Sequence, residues 1–152
     1  MTDRTTFRFS GSYEDIAAIH DALYNYNLSR TGAERLDVHA ERFPEQQALL
    51  ACDGSGAPHG GIAFHWQDGP RGIFVDYFYL DDSIRGTGVG RRIFEEFSEW
   101  AKRNGAEDIR LTTNTFQAPG FYLKQGFQII GEKKSPVPSD PENIHYLLRK
   151  VL

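Results

Sequence analysis

The stretch Arg85-Gly86-Thr87-Gly88-Val89-Gly90 lies between an apolar run that ends at Leu80 and a strongly periodic helical pattern that begins near Val89. Glycines let the backbone take positive φ and approach a ligand closely, and the amide groups of such a loop and of the first helical turn have no partners of their own. The positive end of the helix dipole adds to these donors. A strand, a glycine loop and a helix in this order therefore predict a site for a phosphate or pyrophosphate.

The length and composition predict one ordinary globular domain over residues 1–152. Apolar residues make up 39% and charged residues 25%, and the formal net charge of −4 argues against a nucleic-acid partner. The single cysteine, Cys52, fits a reducing compartment, and the first residues lack the apolar core of a signal peptide. No apolar run approaches the roughly 20 residues of a membrane helix. We therefore expect a cytoplasmic protein without a membrane partner.

Around the glycine loop, hydrophobic periodicity and turn residues predict alternating strands and helices. Asp76 interrupts the apolar run 73–80, which is otherwise typical of a central strand buried on both faces. The pattern over 28–45 is polar and irregular and indicates a connector with possible helical turns, whose fold stays open. The predicted elements are a strand at 5–10, a helix from 12 to about 27, strands at 47–53, 60–67 and 73–80, a helix from 89 to about 104, a strand at 108–113, a short helix at 117–125, a strand at 127–131, an irregular proline-containing tail after 132 and a final strand at 144–151.

Spacing excludes two families of nucleotide loop. The dinucleotide fingerprint needs a third glycine three positions after the second, and Arg91 or Ile93 occupies that position here. The nucleoside triphosphate loop needs Gly-Lys followed by Ser or Thr, and the dipeptide Gly-Lys does not occur in this sequence. The glycine loop therefore belongs to another kind of phosphate site.

What remains is Arg-x-x-Gly-x-Gly after a strand, carried by Arg85, Gly88 and Gly90, and a second segment, Ala118-Pro119-Gly120-Phe121-Tyr122-Leu123-Lys124-Gln125-Gly126-Phe127. In both motifs and in their order, the chain resembles the GNAT superfamily of acyl-CoA-dependent N-acetyltransferases. The resemblance implies an α/β (α+β) fold with a mixed, mostly antiparallel, twisted sheet of six to seven strands. About four helices would flank this sheet, which would splay at its central strands.

The resemblance also implies acetyl-CoA (CoA) as the cofactor. Its pantetheine arm would lie along backbone groups of β-strand residues where the sheet splays, and its pyrophosphate would lie on the glycine loop. Asn114 lies one residue before the family's usual asparagine position, so we do not expect its side chain to contact the cofactor. The implied cofactor-binding residues are Phe78, Tyr79, Leu80, Arg85, Gly86, Thr87, Gly88, Val89, Gly90, Arg91, Phe121 and Lys124.

Acetyl transfer from a thioester to an amine needs a deprotonated amine and a proton for the departing thiolate. The resemblance assigns the proton donation to Tyr122, and it gives Asp76 the task of drawing a proton from the amine, commonly through water. The residues alone leave a second interpretation of Asp76 open. A carboxylate in an apolar strand is costly to bury without a partner, and a nearby arginine or histidine would make Asp76 part of a structural ion pair.

The predicted acceptor is the primary amine of a small molecule, which attacks directly within a ternary complex. In similar proteins the first helix and the connector after it cover the acceptor side, so the candidate substrate-binding residues are Tyr24, Tyr26, Asn27 and Glu41. Two other hypotheses stay open: a non-catalytic acyl-CoA sensor or partner-binding module, and a peptide or protein N-acetyltransferase. The histidines show no metal-ligand spacing, so no metal is expected, and exposed aromatics with the final strand could support a homodimer.

Overall fold

The computed structural model describes residues 5–31, 45–67, 71–117 and 119–152. Glu41 and the turn predicted at 68–70 lie outside these ranges. Within the described ranges, no helix combines the length and the apolar character that crossing a membrane requires. The elements are β1 (Thr6–Ser10), α1 (Tyr13–Thr31), β2 (Gln47–Cys52), β3 (Pro58–Gln67), β4 (Gly72–Leu80), α2 (Val89–Arg103), β5 (Asp108–Asn114), a 3-10 turn (Thr115–Gln117), α3 (Gly120–Lys124), β6 (Gln128–Lys134) and β7 (Ile144–Val151).

The strands form one mixed sheet in the order β1-β2-β3-β4-β5-β7-β6. Neighbouring strands are antiparallel, except that β4 and β5 run parallel. The predicted mixed, mostly antiparallel sheet is thereby confirmed. In the described ranges, three α-helices and the 3-10 turn stand where the resemblance implies about four helices.

The sheet opens between its two parallel strands. The hydrogen-bonded register joins β4 to β5 only over Gly72 to Phe74, opposite Asp108 to Arg110. Beyond Phe74 the two strands diverge, and a cavity lies between the rest of β4 and the middle of β5. This gap confirms the predicted splay at the central strands.

The two long helices cover opposite faces of the sheet. Along β2, Leu49 packs in the cluster that contains Phe94 of α2, whereas the next residue, Leu50, packs in the cluster that contains Ile16 of α1. Because neighbouring side chains of a strand point to opposite faces, the core has one layer under each helix. The central strand β4 lies between the two layers, so it can present residues to both.

The predicted ends of α1 and β6 are wrong, because each element continues through polar residues beyond its last apolar one. Helix α1 continues past the predicted end near Asn27 to Thr31; both residues are buried, and the Thr31 hydroxyl donates to the Asn27 carbonyl at 2.8 Å. Strand β6 continues past the predicted end at Gly131 to Lys134, because its charged residues stay paired with β7 as far as Lys134 opposite Ile144. Residues 28–31 and 132–134 are therefore regular, and the predicted helix at 117–125 divides into the 3-10 turn and α3.

A histidine between two carboxylates ties the β2–β3 turn to the segment that enters the glycine loop. Nε2 of His59 lies 2.6 Å from Oδ2 of Asp53 in the turn, and Nδ1 lies 2.9 Å from Oδ2 of Asp81 after β4. Hydrogen bonds to Asp53 and Asp81 raise the pKa of His59. Hydrogen bonds from Ser55 and His59 lower the pKa of Asp53. Burial opposes the same effect at Asp81, but hydrogen bonds from Ser83 and His59 outweigh it and lower the pKa of Asp81.

We expect the stabilisation by this cluster to depend on pH. Because the pKa of His59 is raised, its contribution to the free energy of unfolding is complete below the ordinary value of 6.5 and is lost as the pH rises through the folded-state pKa. Because the pKa values of Asp53 and Asp81 are lowered, their contribution is present above 3.8 and is lost as the pH falls through the folded-state values. Between pH 3.8 and pH 6.5 the Tm of His59→Gln, measured by circular dichroism, should lie on the order of 2 °C below that of wild type. At alkaline pH the difference in Tm should be smaller.

Ser83→Ala is the matched control, because it removes a hydrogen bond from the cluster and keeps the titrating imidazole. Its Tm difference from wild type should change much less with pH. A deficit of His59→Gln that stays constant from acidic to alkaline pH would contradict the prediction.

Candidate active site

A first cavity, of about 560 Å³, opens at the splay between β4 and β5. Its walls come from α1, β4, the glycine loop, α2, β5 and α3, so it brings together the two motifs that stand far apart in the chain. The lining residues are Leu23, Tyr26, Val75, Asp76, Phe78, Tyr79, Leu80, Arg85, Gly86, Gly88, Gly90, Arg91, Leu111, Thr112, Thr113, Gln117, Phe121, Tyr122 and Gln125.

The glycine loop has the open geometry of an anion cradle. Gly86 and Gly88 take φ of 76° and 80°, a left-handed conformation that suits glycine, and no atom lies within 4 Å of where a Cβ would be. Among the described residues, the backbone amides of Gly86, Thr87 and Gly88 have no hydrogen-bond acceptor. Helix α2 begins next, at Val89, and its first turn holds no acidic residue. An anion in front of this loop would meet unpaired donors and the positive end of the α2 dipole.

The side chain of Arg85 turns back toward the end of β4. Its Nε donates to the Leu80 carbonyl at 2.6 Å, and its guanidinium lies 3.1 Å from a carboxylate oxygen of Asp82. The same guanidinium lies 4.8 Å from the ring centroid of Tyr79 and 5.2 Å from that of Tyr26. The side chain of Arg85 thus connects the loop to β4 and α1, and these contacts already engage its guanidinium.

Phe121 joins α3 to the glycine loop. Its ring stacks on Phe78 with 5.8 Å between centroids, and a Cβ added to Gly90 would lie 3.1 Å from its Cε1 atom. The absence of a side chain at Gly90 therefore lets the start of α2 approach α3. Through this contact the two motifs share one wall of the first cavity.

The remaining implied cofactor-binding residues differ in their placement. Arg91 lines the first cavity and pairs with Glu95 at 2.8 Å. Val89 is buried in the core, and the Thr87 hydroxyl donates to a carbonyl of its own loop at 2.6 Å. Lys124 is exposed on α3 and does not line the cavity. For these residues, a role in binding the cofactor stays a prediction.

Tyr122 lies on α3 with its ring among aromatic side chains. It meets Phe78, Phe94 and Phe127 edge-on, at centroid distances of 6.3, 5.8 and 5.9 Å. Burial raises the pKa of Tyr122, so the phenol keeps its proton at neutral pH. Tyr122 lines the first cavity, and in the described part of the chain its hydroxyl has no hydrogen-bond partner. A protonated phenol is therefore available to a group bound in the cavity.

A β-bulge sets the position of Asp76. In the register of β3 with β4, Ala63 faces Tyr77 and Phe64 faces Val75, so Asp76 is the extra residue of β4. Val75 packs in the core under α2, and Tyr77 packs in the core under α1, although residues two apart in a regular strand share a face. The bulge therefore reverses the facing of β4 at Asp76.

The carboxylate of Asp76 is held by two neighbours. Both of its oxygens lie 2.9 Å from Nδ1 of His65, and Nε2 of Gln46 donates to Oδ2 at 3.0 Å. Only 4% of the Asp76 side chain is exposed. Asp76 thus has the histidine partner that a structural ion pair requires. It also lines the first cavity, as a carboxylate that acts on the amine must.

A second cavity, of about 470 Å³, adjoins the first. Four residues line both cavities, namely Leu23, Asp76, Thr112 and Gln117, so they mark the junction. One wall of the second cavity is a face of α1. The residues that line only the second cavity are His20, Tyr24, Asn27, Thr31, Tyr77, Asn114, Lys133, Ser135, Val137 and His145.

The predicted substrate-binding residues separate between the two cavities. Tyr24 and Asn27 line the second cavity, whereas Tyr26 lines the first and packs 5.9 Å from the ring of Tyr79. Glu41 lies outside the described residues. Helix α1 therefore contributes to both cavities from adjacent sides.

Gln117 and His20 are two lining residues that sequence reasoning missed. Oε1 of Gln117 accepts from the backbone amide and Nδ2 of Asn114 at 3.0 Å each, and Nε2 of Gln117 donates to Oδ1 of Asn27 at 3.0 Å. This amide chain links α1 to the end of β5, and it turns Asn114 toward the second cavity. His20 stands one helical turn before Tyr24, so the i, i+4 spacing is a signal that could have located it.

The two cavities together suit the transfer of a group between two bound molecules. The first offers an anion cradle and the protonated phenol of Tyr122. The second offers polar walls, and the carboxylate of Asp76 lies where the cavities meet. A phosphate-bearing donor in the first cavity and a cationic acceptor in the second would therefore come into contact beside Asp76.

Comparisons with known proteins agree with this geometry. Residues 13–127, which include both motifs, match the family described as "Acetyltransferase (GNAT) family". The blasticidin-S acetyltransferase of Streptomyces morookaense is 30% identical over 122 residues, covering 77% of this chain and 84% of that protein. The peptidyl-lysine N-acetyltransferase YjaB of Escherichia coli (strain K12) is 28% identical over 118 residues, covering 75% and 71%. A solved GCN5-related N-acetyltransferase from Kribbella flavida aligns with a TM-score of 0.74 at 17% identity, over 97% of this chain and 98% of that one. The chain belongs to the GNAT family of acetyltransferases.

Proposed function

We propose that this protein transfers the acetyl group of acetyl-CoA to the primary amine of a small molecule. The observation that carries this proposal is the meeting of two cavities at Asp76, with the anion cradle and Tyr122 in one and polar walls in the other. Cys52, the single cysteine, is buried in β2 and lines neither cavity, so no thiol stands ready to carry the acetyl group. We therefore propose direct attack of the amine on the thioester within a ternary complex.

The first cavity fits acetyl-CoA, which supplies the acetyl group as a reactive thioester. The unpaired amides of Gly86, Thr87 and Gly88 would hold the pyrophosphate at the start of α2. The backbone of β4 from Phe78 to Leu80 lines the gap left by β5 and would hold the pantetheine arm. A loop that already holds its glycines in left-handed φ needs no rearrangement to present these amides.

Asp76 would act at the junction, and Tyr122 would act within the first cavity. Tyr122 would donate a proton to the leaving sulfur, because it lines the first cavity and its phenol is protonated at neutral pH. Asp76 would attract the ammonium group of the acceptor, since a buried carboxylate acts on a nearby cation with little screening by water. Each of the two residues would thus serve one of the two molecules that meet there.

The acceptor is proposed to be a small molecule because the second cavity has the size of a small-molecule site, for which about 300–1,000 Å³ is usual. The similarity to a blasticidin-S acetyltransferase supports the same choice. A second candidate is the lysine of a peptide, which the similarity to a peptidyl-lysine N-acetyltransferase favours. A small amine and a peptide lysine differ in the size of the molecule that must fit beside Asp76, so an activity assay with both kinds of acceptor can distinguish the two candidates.

We expect saturating acetyl-CoA to raise the Tm by at least about 5 °C, because a ligand at a hundred times its Kd stabilises the native state by about 2.7 kcal/mol. Thiol release from acetyl-CoA should then be measured with a panel of small amines and with a lysine-containing peptide. Release with small amines alone would support the proposal, and release with the peptide alone would establish the second candidate. A thermal shift without any turnover would identify a non-catalytic acyl-CoA-binding protein, and the absence of a shift would reject all of these functions.

A further inference from the structure

His20 is a buried histidine of α1 to which neither motif assigns a role. Only 6% of its side chain is exposed, and the residue lines the second cavity. Its ring stacks on that of Tyr24 with 6.2 Å between centroids and meets that of Tyr77 edge-on at 5.0 Å. The two tyrosines therefore hold the imidazole in one orientation at the cavity wall.

Asp21 determines which nitrogen of His20 can meet a ligand. Nδ1 lies 2.9 Å from Oδ1 of Asp21, and because an ionised carboxylate can only accept, Nδ1 carries the proton. Nε2 makes no hydrogen bond to any residue in the described part of the chain. In the neutral imidazole Nε2 is then a proton acceptor, on a residue that lines the second cavity. A carboxylate behind a histidine also stabilises the imidazolium that forms when Nε2 takes a proton.

We propose that His20 is a further catalytic residue, which takes a proton from the acceptor amine at Nε2. This inference rests on the proposed function, because the amine must bind in the second cavity. An N–H bond of the ammonium group breaks as an N–H bond forms at Nε2, and Asp21 stabilises the resulting imidazolium until it releases the proton to solvent. The amine nitrogen bonds to the acetyl carbon as the C–S bond breaks. Tyr122 gives its proton to the leaving sulfur and regains one from the new amide nitrogen.

The other ionisable groups of the second cavity are less suited to this step. The carboxylate of Asp76 already accepts hydrogen bonds from His65 and Gln46, which fix its position at the junction. His145 lies opposite Lys133 in the register of β7 with β6, so a proton taken up by His145 would place two positive charges side by side. The ammonium group of Lys133 has only donors and cannot accept a proton. Asp76 thus holds the ammonium by charge, and His20 accepts the proton.

The test compares His20→Gln with wild type on two acceptors, benzylamine and hydroxylamine. Benzylamine is largely protonated at neutral pH and needs a base, whereas the nitrogen of hydroxylamine is already largely unprotonated. We expect kcat/KM at neutral pH to fall about 10²-fold for benzylamine and less than about threefold for hydroxylamine. Asp21→Asn, at a side chain that is 64% exposed and so can change without loss of the core, should lower benzylamine turnover about tenfold and spare hydroxylamine.

The thermal shift with acetyl-CoA separates this inference from the proposed function. It should be the same in His20→Gln and wild type, because His20 does not line the first cavity. An equal loss with both acceptors in both variants would make His20 a structural residue and overturn the inference. A selective loss with benzylamine in Asp76→Asn, together with full activity of His20→Gln, would overturn it in favour of Asp76. A wild-type protein that shifts with acetyl-CoA and acetylates no amine would overturn the proposed function and this inference with it.

Discussion

Tyr122→Phe should lower kcat by about 10²- to 10³-fold and leave the affinity for CoA within about twofold of wild type. The substitution removes one hydroxyl, and the ring keeps its edge-on contacts with Phe78 and Phe94. Because that hydroxyl has no hydrogen-bond partner in the described part of the chain, its removal breaks no contact of the fold. Thiol release from acetyl-CoA gives kcat, and calorimetric titration with CoA gives the affinity.

Tyr146→Phe is the matched control, because Tyr146 is also half-buried against the α2-side core and lines neither cavity. Its kcat should equal that of wild type.

The pH dependence of kcat is an independent test of the role of Tyr122. Since burial raises the pKa of Tyr122, the acid stays protonated and its contribution to the rate is lost only as the pH rises beyond the ordinary tyrosine value of 10.0. Equal kcat for Tyr122→Phe and wild type would refute the assignment of Tyr122 as the proton donor.

The cofactor side of the site could be predicted from sequence because its geometry depends on residue type. Gly86 and Gly88 take φ values that other residues avoid, so their identity alone indicates an open loop. At Gly90 the need for glycine is steric, because the ring of Phe121 lies where a side chain would be. That contact links the two motifs, because a side chain at Gly90 would press on the ring of Phe121, the residue before Tyr122.

The position of Asp76 could not be predicted, because it depends on strand pairing. The apolar run from Ile73 to Leu80 indicates a regular strand, and only the register with β3 shows that Asp76 is an extra residue. Its partner His65 lies on the neighbouring strand, 11 residues away in sequence. A local pattern contains no information on such a pair.

For a different reason, the residues of α1 that line the second cavity could not be predicted from the hydrophobic pattern. Hydrophobic periodicity detects a helix face only when that face is apolar, and the inner face of α1 continues with the polar residues His20, Asn27 and Thr31. All three line the second cavity. Thr31 donates to Asn27, Gln117 donates to Asn27, and His20 bonds to Asp21. Polar residues at helical spacing resemble a solvated helix end, and the predicted boundary therefore falls at Asn27.

Gly88→Ala should weaken CoA binding by about ten- to a hundredfold, which is more than Arg85→Ala. The Cβ of alanine would project into the open space in front of the loop, where the anion must approach the amides. The left-handed φ of 80° would also be strained by roughly 1–2 kcal/mol, and relaxation of that strain would turn the amides away. The side chain of Arg85 is already engaged with the Leu80 carbonyl and Asp82, so Arg85→Ala should cost only about three- to fivefold.

Gly105→Ala is the matched control for the backbone strain. Gly105 has a φ of 90°, has no atom within 4 Å of where a Cβ would be and lies past the other end of α2, away from both cavities. Both glycine variants should therefore lose similar amounts of Tm, and only Gly88→Ala should lose CoA affinity in calorimetric titration. If Gly88→Ala binds CoA as tightly as Gly105→Ala does, the amides of the glycine loop do not hold the pyrophosphate. If Arg85→Ala instead shows the larger loss, the guanidinium leaves its contacts on β4 to bind the anion, and side-chain charge outweighs the backbone donors at this site.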